Sequence, residues 1–329
     1  MIRLTGVELR RLVARRLVML GVVAVLGVTV LMLAATWWNA RPLSAEQQQQ
    51  NKVQFEQAHA DWEKNHEKYE KECRDAYASQ PDPKPSVEEM CTYQEPKLSE
   101  WGKPTPSFVE VMPELLQASA YLLAFAAFLI GASFVGAEFS SGSIGNWLTF
   151  EPRRLRVYGS KLSALAVGAV PVAVVTLALL LGGTYLIIAQ MGVTTGTTGE
   201  VWGDLLEMSG RAMVIAAVAG AIGGVLALLL RHTAAAIGVI MGYVVLVEGI
   251  FGSVLVSAQP WLARLNFDAW VMHGTTYYVQ KCTTGSDGSY ICESVEKTLS
   301  FEHGAWYLGI GAVLLIALGA VVFNRRDVN

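Results

Sequence analysis

The sequence predicts an all-α polytopic membrane protein of six transmembrane helices, with an N-terminal interfacial helix and a small extracytoplasmic helical insertion. Three observations predict it. Charged residues make up only 16% of 329 positions while 53% are hydrophobic, a charge density well below the roughly 25% of a soluble domain. Six segments stay apolar for about the 17–25 residues that a helix needs to cross a hydrocarbon core. The charge that remains is concentrated, with 9 basic and 15 acidic residues in segment 39–114. The net charge of −3 also argues against a nucleic-acid partner, which would need a basic surface to release counterions.

Residues 1–16 read as an amphipathic cytoplasmic helix, carrying Glu8-Leu9-Arg10-Arg11-Leu12. The first span is 17–38. Its apolar run is longer than the usual apolar core of a signal peptide, so it reads as an uncleaved anchor. Segment 39–114 follows as the outer insertion. Ser44 and Gln47 form a capping-box pattern, and Phe55, Trp62, Tyr69 and Ala76 recur at heptad spacing, a stripe that calls for a partner helix. Ser86 with Glu89, and Ser107 with Glu110, repeat the cap pattern before two further helices. His59 and His66 share a face seven residues apart, but with no third ligand in the pattern no metal site is expected.

The second span is 116–137, the third 162–190, the fourth 212–230, the fifth 233–257 and the sixth 304–323. Between the second and third spans lies a loop over 138–161. Pro171 is expected to bend the third span by removing an intrahelical hydrogen bond, and Gly220 with Gly224, and Gly238 with Gly242, supply small-residue pairs for close packing. Glu248 is the acidic side chain well inside a span. Such a charge is costly unless protonated, paired or hydrated, so it reads either as a polar wall of a translocation path or as a carboxyl bonded to a neighbouring helix.

Basic residues in short loops mark the cytoplasmic side. Arg3, Arg10, Arg11, Arg15, Arg16, Arg153, Arg154, Arg156, Lys161, Arg231, Arg325 and Arg326 all fall on one face when both termini are cytoplasmic. Segments 39–114, 191–211 and 258–303 are then outside. Trp37, Trp38, Trp306 and Tyr307 sit at the outer ends of their spans, where amphipathic rings prefer the interface. The four cysteines, Cys73, Cys91, Cys282 and Cys292, all lie in segments assigned to the outside by charge. Two local disulfides are the natural reading in an oxidising compartment, around the Pro81-Asp82-Pro83-Lys84-Pro85 reversal and the Ser286-Asp287-Gly288 turn, with two other connectivities open.

The loop Gly136-Ala137-Glu138-Phe139-Ser140-Ser141-Gly142-Ser143-Ile144-Gly145-Asn146-Trp147-Leu148-Thr149-Phe150-Glu151-Pro152-Arg153-Arg154-Leu155-Arg156 carries the most information. Ile144, Trp147 and Leu148 stand at i, i+3 and i+4, so a short helix capped by Ser140 or Ser141 is expected to present an apolar face at the cytoplasmic surface. Pro152 closes it.

This stretch resembles the loop after the second span in permeases of the type-2 exporter class of ATP-binding-cassette (ABC) transporters, where an acidic residue, a Ser/Gly turn, a short apolar helix and an Arg-rich segment recur in this order. Glu8 to Leu12 resembles the interfacial elbow helix of that class. The present sequence departs in having Gly145 inside the short helix, Glu151-Pro152 after it and a longer outer insertion. The resemblance implies a permease subunit that couples ATP hydrolysis by a separate subunit to export. Glu138, Phe139, Ile144, Trp147, Leu148, Arg153 and Arg154 would form the coupling region, and Glu248 is the candidate for the translocation path. The chain has no G-x-x-x-x-G-K-[ST], so no phosphate-cradling loop of its own. No catalytic or metal site and no cofactor are therefore expected in this chain, with ATP and Mg held by the partner subunit. Implied partners are a cytoplasmic ATPase subunit, a second permease chain in a homo- or heterodimer, and membrane lipid, in the plasma (inner) membrane. The sparse charge of the spans favours a hydrophobic or amphipathic cargo. Two other classes are the alternatives: a non-transporting scaffold that binds an envelope complex through its outer domain, and a membrane enzyme, for which no nucleophile, metal or acid–base constellation appears near a bilayer face.

Overall fold

The computed structural model describes residues 2–77, 86–252, 256–284 and 290–325. Six helical stretches among them are long and apolar enough to cross a membrane. In chain order the elements are α1 (Ile2–Val13), α2 (Arg16–Ala40), α3 (Ala45–Tyr77), α4 (Val87–Cys91), α5 (Phe108–Ser140), α6 (Ser143–Phe150), α7 (Arg154–Met191), α8 (Gly199–Leu230) and α9 (Thr233–Gly242). They continue with α10 (Ala263–Met272), β1 (Thr275–Thr284), β2 (Tyr290–Leu299) and α11 (Phe301–Arg325).

The bundle is built around α5, α7 and α8. Its closest contact is the crossing of α5 with α8, which glycine makes possible. A Cβ at Gly131 would stand 2.0 Å from the Gly220 carbonyl oxygen, and one at Gly223 would stand 2.1 Å from that of Phe128. No larger residue fits either place. Gly224 faces Leu165 and Val135, whereas nothing lies within 4 Å of a Cβ at Gly238 or Gly242, so only the first of the two expected glycine pairs packs inside the chain. Two apolar clusters fill the bundle, one around Phe108, Met112 and Leu180, the other around Phe134, Ile144 and Val225. The outer faces of α2, α9 and α11 stay exposed and aliphatic, as helices facing lipid tails should be. Pro171 lies within the continuous helix α7.

The fifth span departs from one regular helix over 233–257. α-Geometry ends at Gly242 and a wide, π-type winding runs over Tyr243–Phe251. That winding brings residues five apart onto one face, and the Tyr243 hydroxyl donates to Glu248 Oε1 at 2.8 Å. The same carboxylate oxygen accepts from the Arg264 backbone N–H at 3.0 Å, and Tyr243 Oη accepts from the Ala263 N–H at 3.1 Å. The hydrogen-bonding demand of one intramembrane acid thus ties the widened helix to the start of α10.

In the insertion between the first two spans, Ser44 and Gln47 form the reciprocal cap that opens α3, with bonds of 3.1 and 3.2 Å. The partner of its aromatic stripe is not a full helix. After the five-residue α4, capped by Ser86, an extended segment runs back along α3. Trp62 Nε1 donates to the Tyr93 carbonyl at 2.7 Å, Tyr69 meets Tyr93 edge to face, and Asn51 reaches the Trp101 carbonyl at 2.6 Å. His59 lies 3.0 Å from Glu95, and His66 stacks on Trp62. Disulfides join Cys73 to Cys91 and Cys282 to Cys292; the second pair is directly opposed in the antiparallel register of β1 and β2. The reversal at 81–85 and the turn at 286–288 fall outside the described residues, as does Arg326. Ser107 begins α5 without a side-chain cap; instead Phe108 N–H donates to the Val193 carbonyl and Val193 N–H to that of Pro106, both at 3.0 Å.

Candidate functional site

The expected coupling region lies where α1, the end of α5, α6 and the start of α7 converge. Gly142 turns the chain between α5 and α6 at φ 67°, a left-handed conformation that glycine adopts without strain. Ser140 and Ser141 belong to the end of α5, where the Ser140 hydroxyl donates to the Ala137 carbonyl at 3.1 Å. They do not cap the short helix, which corrects that expectation.

The direction of α6 is a second correction. Its apolar face was expected at the surface, yet Ile144 is 2% exposed and belongs to the inner core, with Phe139 and Leu148 packed against the same cluster. A half-turn of apolar side chains gains more from the adjacent core than from water, so the face turns inward. What α6 leaves outside is Phe150, 86% exposed, followed by exposed Pro152, Arg153, Leu155 and Arg156. Arg154 instead reaches the Phe323 carbonyl near the end of α11 at 3.4 Å, where a cation offsets the negative end of the helix dipole.

Behind α6 lies a group of five charges. Glu138 is fully buried and so are Glu8 and Lys161. Lys161 Nζ lies 2.9 Å from Glu8 Oε1 and also ion-pairs with Glu138 Oε2. Arg11 stands 2.9 Å from Glu138 Oε1 and 3.4 Å from Glu8, with Arg15 at 3.6 Å from Glu138. Arg15 also donates to the Phe134 carbonyl at 2.9 Å. Burial pushes the Arg15 guanidinium below its usual range, and the Glu138 carboxylate works the other way. Trp147 of α6 is joined to the group through its ring, with the Arg11 guanidinium 5.2 Å and the Lys161 ammonium 5.8 Å from its centre. Each cation–π contact is worth about 0.5–2 kcal/mol.

Two carboxylates against three cations leave one positive charge in excess, and the half-open arginines carry it toward solvent. Buried ions gain little net stability over apolar side chains but are costly to leave unpaired. The group therefore acts as a fastener with a defined geometry. α1, α5 and α7 cannot shift independently without stranding a charge, and α6 is joined to them through the Trp147 ring.

The sequence reading brought Glu138, Ile144 and Trp147 to this place but missed Glu8, Arg11, Arg15 and Lys161 as a connected set. The cations had been assigned to topology alone. A signal was present, since Glu8 is the acid of the N-terminal arginine stretch and Glu138 is alone between Glu114 and Glu151. Glu248 lies elsewhere, in the widened part of the fifth span, near Tyr243 and α10.

Searches among characterised proteins and among solved structures each returned no match. One family does match: residues 7–328 fit the family described as ABC-2 family transporter protein, a match that takes in the second half of α1, the bundle and the charged group. With nearly its whole length covered, the chain belongs to the ABC-2 family of transporter membrane proteins.

Proposed function

We propose that this chain is the permease of an ABC exporter whose ATP and Mg are held by a separate cytoplasmic subunit. Its family supplies the membrane component of such transporters. The observation that carries the finer reading is the α6 junction. A short helix exposes Phe150 outward, with Arg153 exposed just after it, and is joined inward, through Trp147, to a buried charge group that spans α1, α5 and α7. A push on α6 is thereby transmitted to two spans and the elbow helix together. In this reading Phe150, Pro152 and Arg153 meet the ATPase subunit. Glu138, Phe139, Ile144, Trp147 and Leu148 pass the motion on, and nucleotide biases a bundle with two states.

Both termini are cytoplasmic in this reading, and the two disulfides lie in the oxidising space outside an inner membrane. A second permease chain completes the path. Glu248 lines its outer part, and the otherwise aliphatic spans favour a hydrophobic or amphipathic cargo.

The test is co-purification in gentle detergent. The native chain retains an ATP-binding subunit, and Phe150→Ser with Arg153→Glu releases it. If the native chain brings down stable partners but none that binds nucleotide, the scaffold reading through the outer domain replaces this one.

A further inference from the structure

At the outer end of the bundle a cavity of about 300 Å³ opens between the end of α2, the start of α3, the segment before α5 and the end of α7. That is the lower end of the roughly 300–1,000 Å³ typical of ligand sites. Its charged lining is wholly basic: Arg41 and Lys103, with Gln48 beside them. Neither cation has an acidic partner among the described residues. This is unexpected in an insertion that holds 15 acids against 9 bases.

Both cations have a contact that orients them. The Arg41 guanidinium lies 3.4 Å from the centre of the Trp37 ring and 4.9 Å from that of Trp38. Lys103 Nζ donates to the Arg41 carbonyl at 3.1 Å. Pro42, Pro104 and Pro106 stiffen the walls, and the last is tied to the segment just after α7 by the Val193 N–H bond to its carbonyl. A cavity lined by two cations, one stacked on neighbouring rings and the other bonded to the backbone, offers positive charge to an anion without an acidic side chain to compete for it. Trp37 and Trp38 close a 25-residue apolar helix, and paired Trp rings of this kind sit at the level of lipid headgroups.

We infer that Arg41 and Lys103 form a binding site for a phosphate group, at the depth where phospholipid phosphates lie. The planar guanidinium supplies a paired set of donors and the ammonium a point charge, a combination suited to a phosphate oxyanion. The site does not depend on the ATPase partner or on the direction of transport.

Native mass spectrometry of the delipidated full-length chain tests it, with dioleoylphosphatidylglycerol, dioleoylglycerol and sodium phosphate as probes. Phosphatidylglycerol is expected to bind the native chain, and Arg41→Gln with Lys103→Gln is expected to weaken it about tenfold or more, as loss of a charge-assisted contact does. Dioleoylglycerol is not expected to compete. Displacement of the lipid by sodium phosphate identifies a site for the free anion as well; failure to displace it identifies a lipid headgroup site. Both arms keep the phosphate site. Unchanged binding to the Gln variant, or equal competition by dioleoylglycerol, overturns it. The charge-preserving pair Arg41→Lys with Lys103→Arg is expected to retain binding; its loss in a variant that elutes as folded protein on size-exclusion chromatography also overturns the proposal.

Discussion

Lys161 Nζ on α7 lies 2.9 Å from Glu8 Oε1 on α1 while it also ion-pairs with Glu138 on α5. One ammonium thus joins the N-terminal helix α1 to the ends of two spans. All three side chains are buried, and both carboxylates share the one lysine, with Arg11 beside them as a further cation.

Removing one partner exposes that dependence. Glu138→Gln leaves Lys161, Arg11 and Arg15 facing one another with a single carboxylate, and a broken buried pair costs about 3–5 kcal/mol. Thermal unfolding in detergent is expected to fall by several degrees. Glu100→Gln, on the surface of the outer insertion, should leave it unchanged.

The α5–α8 crossing tolerates no side chain at its narrowest points. Gly131→Leu or Gly223→Val sets atoms where the Gly220 and Phe128 carbonyl oxygens stand, so the helices must separate. A loss of about 3 kcal/mol or more is expected, read as reduced recovery of folded chain by size-exclusion chromatography. Gly238→Ala, with open space around it, should be recovered normally.

In the outer insertion, Cys73→Ser with Cys91→Ser opens a link across 18 residues of sequence, worth about 3 kcal/mol to the part it closes. Because α3 has no buried residue of its own, the loss should be local. Protease cleavage within 45–97 is expected to accelerate while the spans remain intact.

The widened fifth span rests on Tyr243. Tyr243→Phe removes the hydroxyl that donates to Glu248 and accepts from the Ala263 N–H. Hydrogen exchange of the Ala263 and Arg264 amides should then quicken, by about tenfold for the loss of about 1.4 kcal/mol. Unchanged exchange would mean that the winding is held by packing alone.

The sequence made the six spans, the outer insertion and the short helix α6 legible because hydrophobic length and period are local properties. It did not reveal which way α6 faces. Ile144, Trp147 and Leu148 define an apolar stripe in either case, and only the neighbouring cluster of Phe134 and Val225 decides that it turns inward. The charge group was hidden for a related reason, since Arg11, Arg15 and Lys161 satisfy the topology rule whether or not they are paired. Likewise the widened winding after Gly242 involves Arg264, sixteen residues beyond Glu248, whose backbone N–H donates to that carboxylate.

The most direct test of the account is site-specific photocrosslinking from position 150 in native membranes, with a benzoyl-substituted phenylalanine in place of Phe150. A covalent product with a nucleotide-binding subunit is the predicted result, lost when the photoprobe is moved to the lipid-facing Leu314. Products with lipid alone, or with a partner that binds no nucleotide, would contradict the assignment of α6 as the surface through which ATP drives this chain.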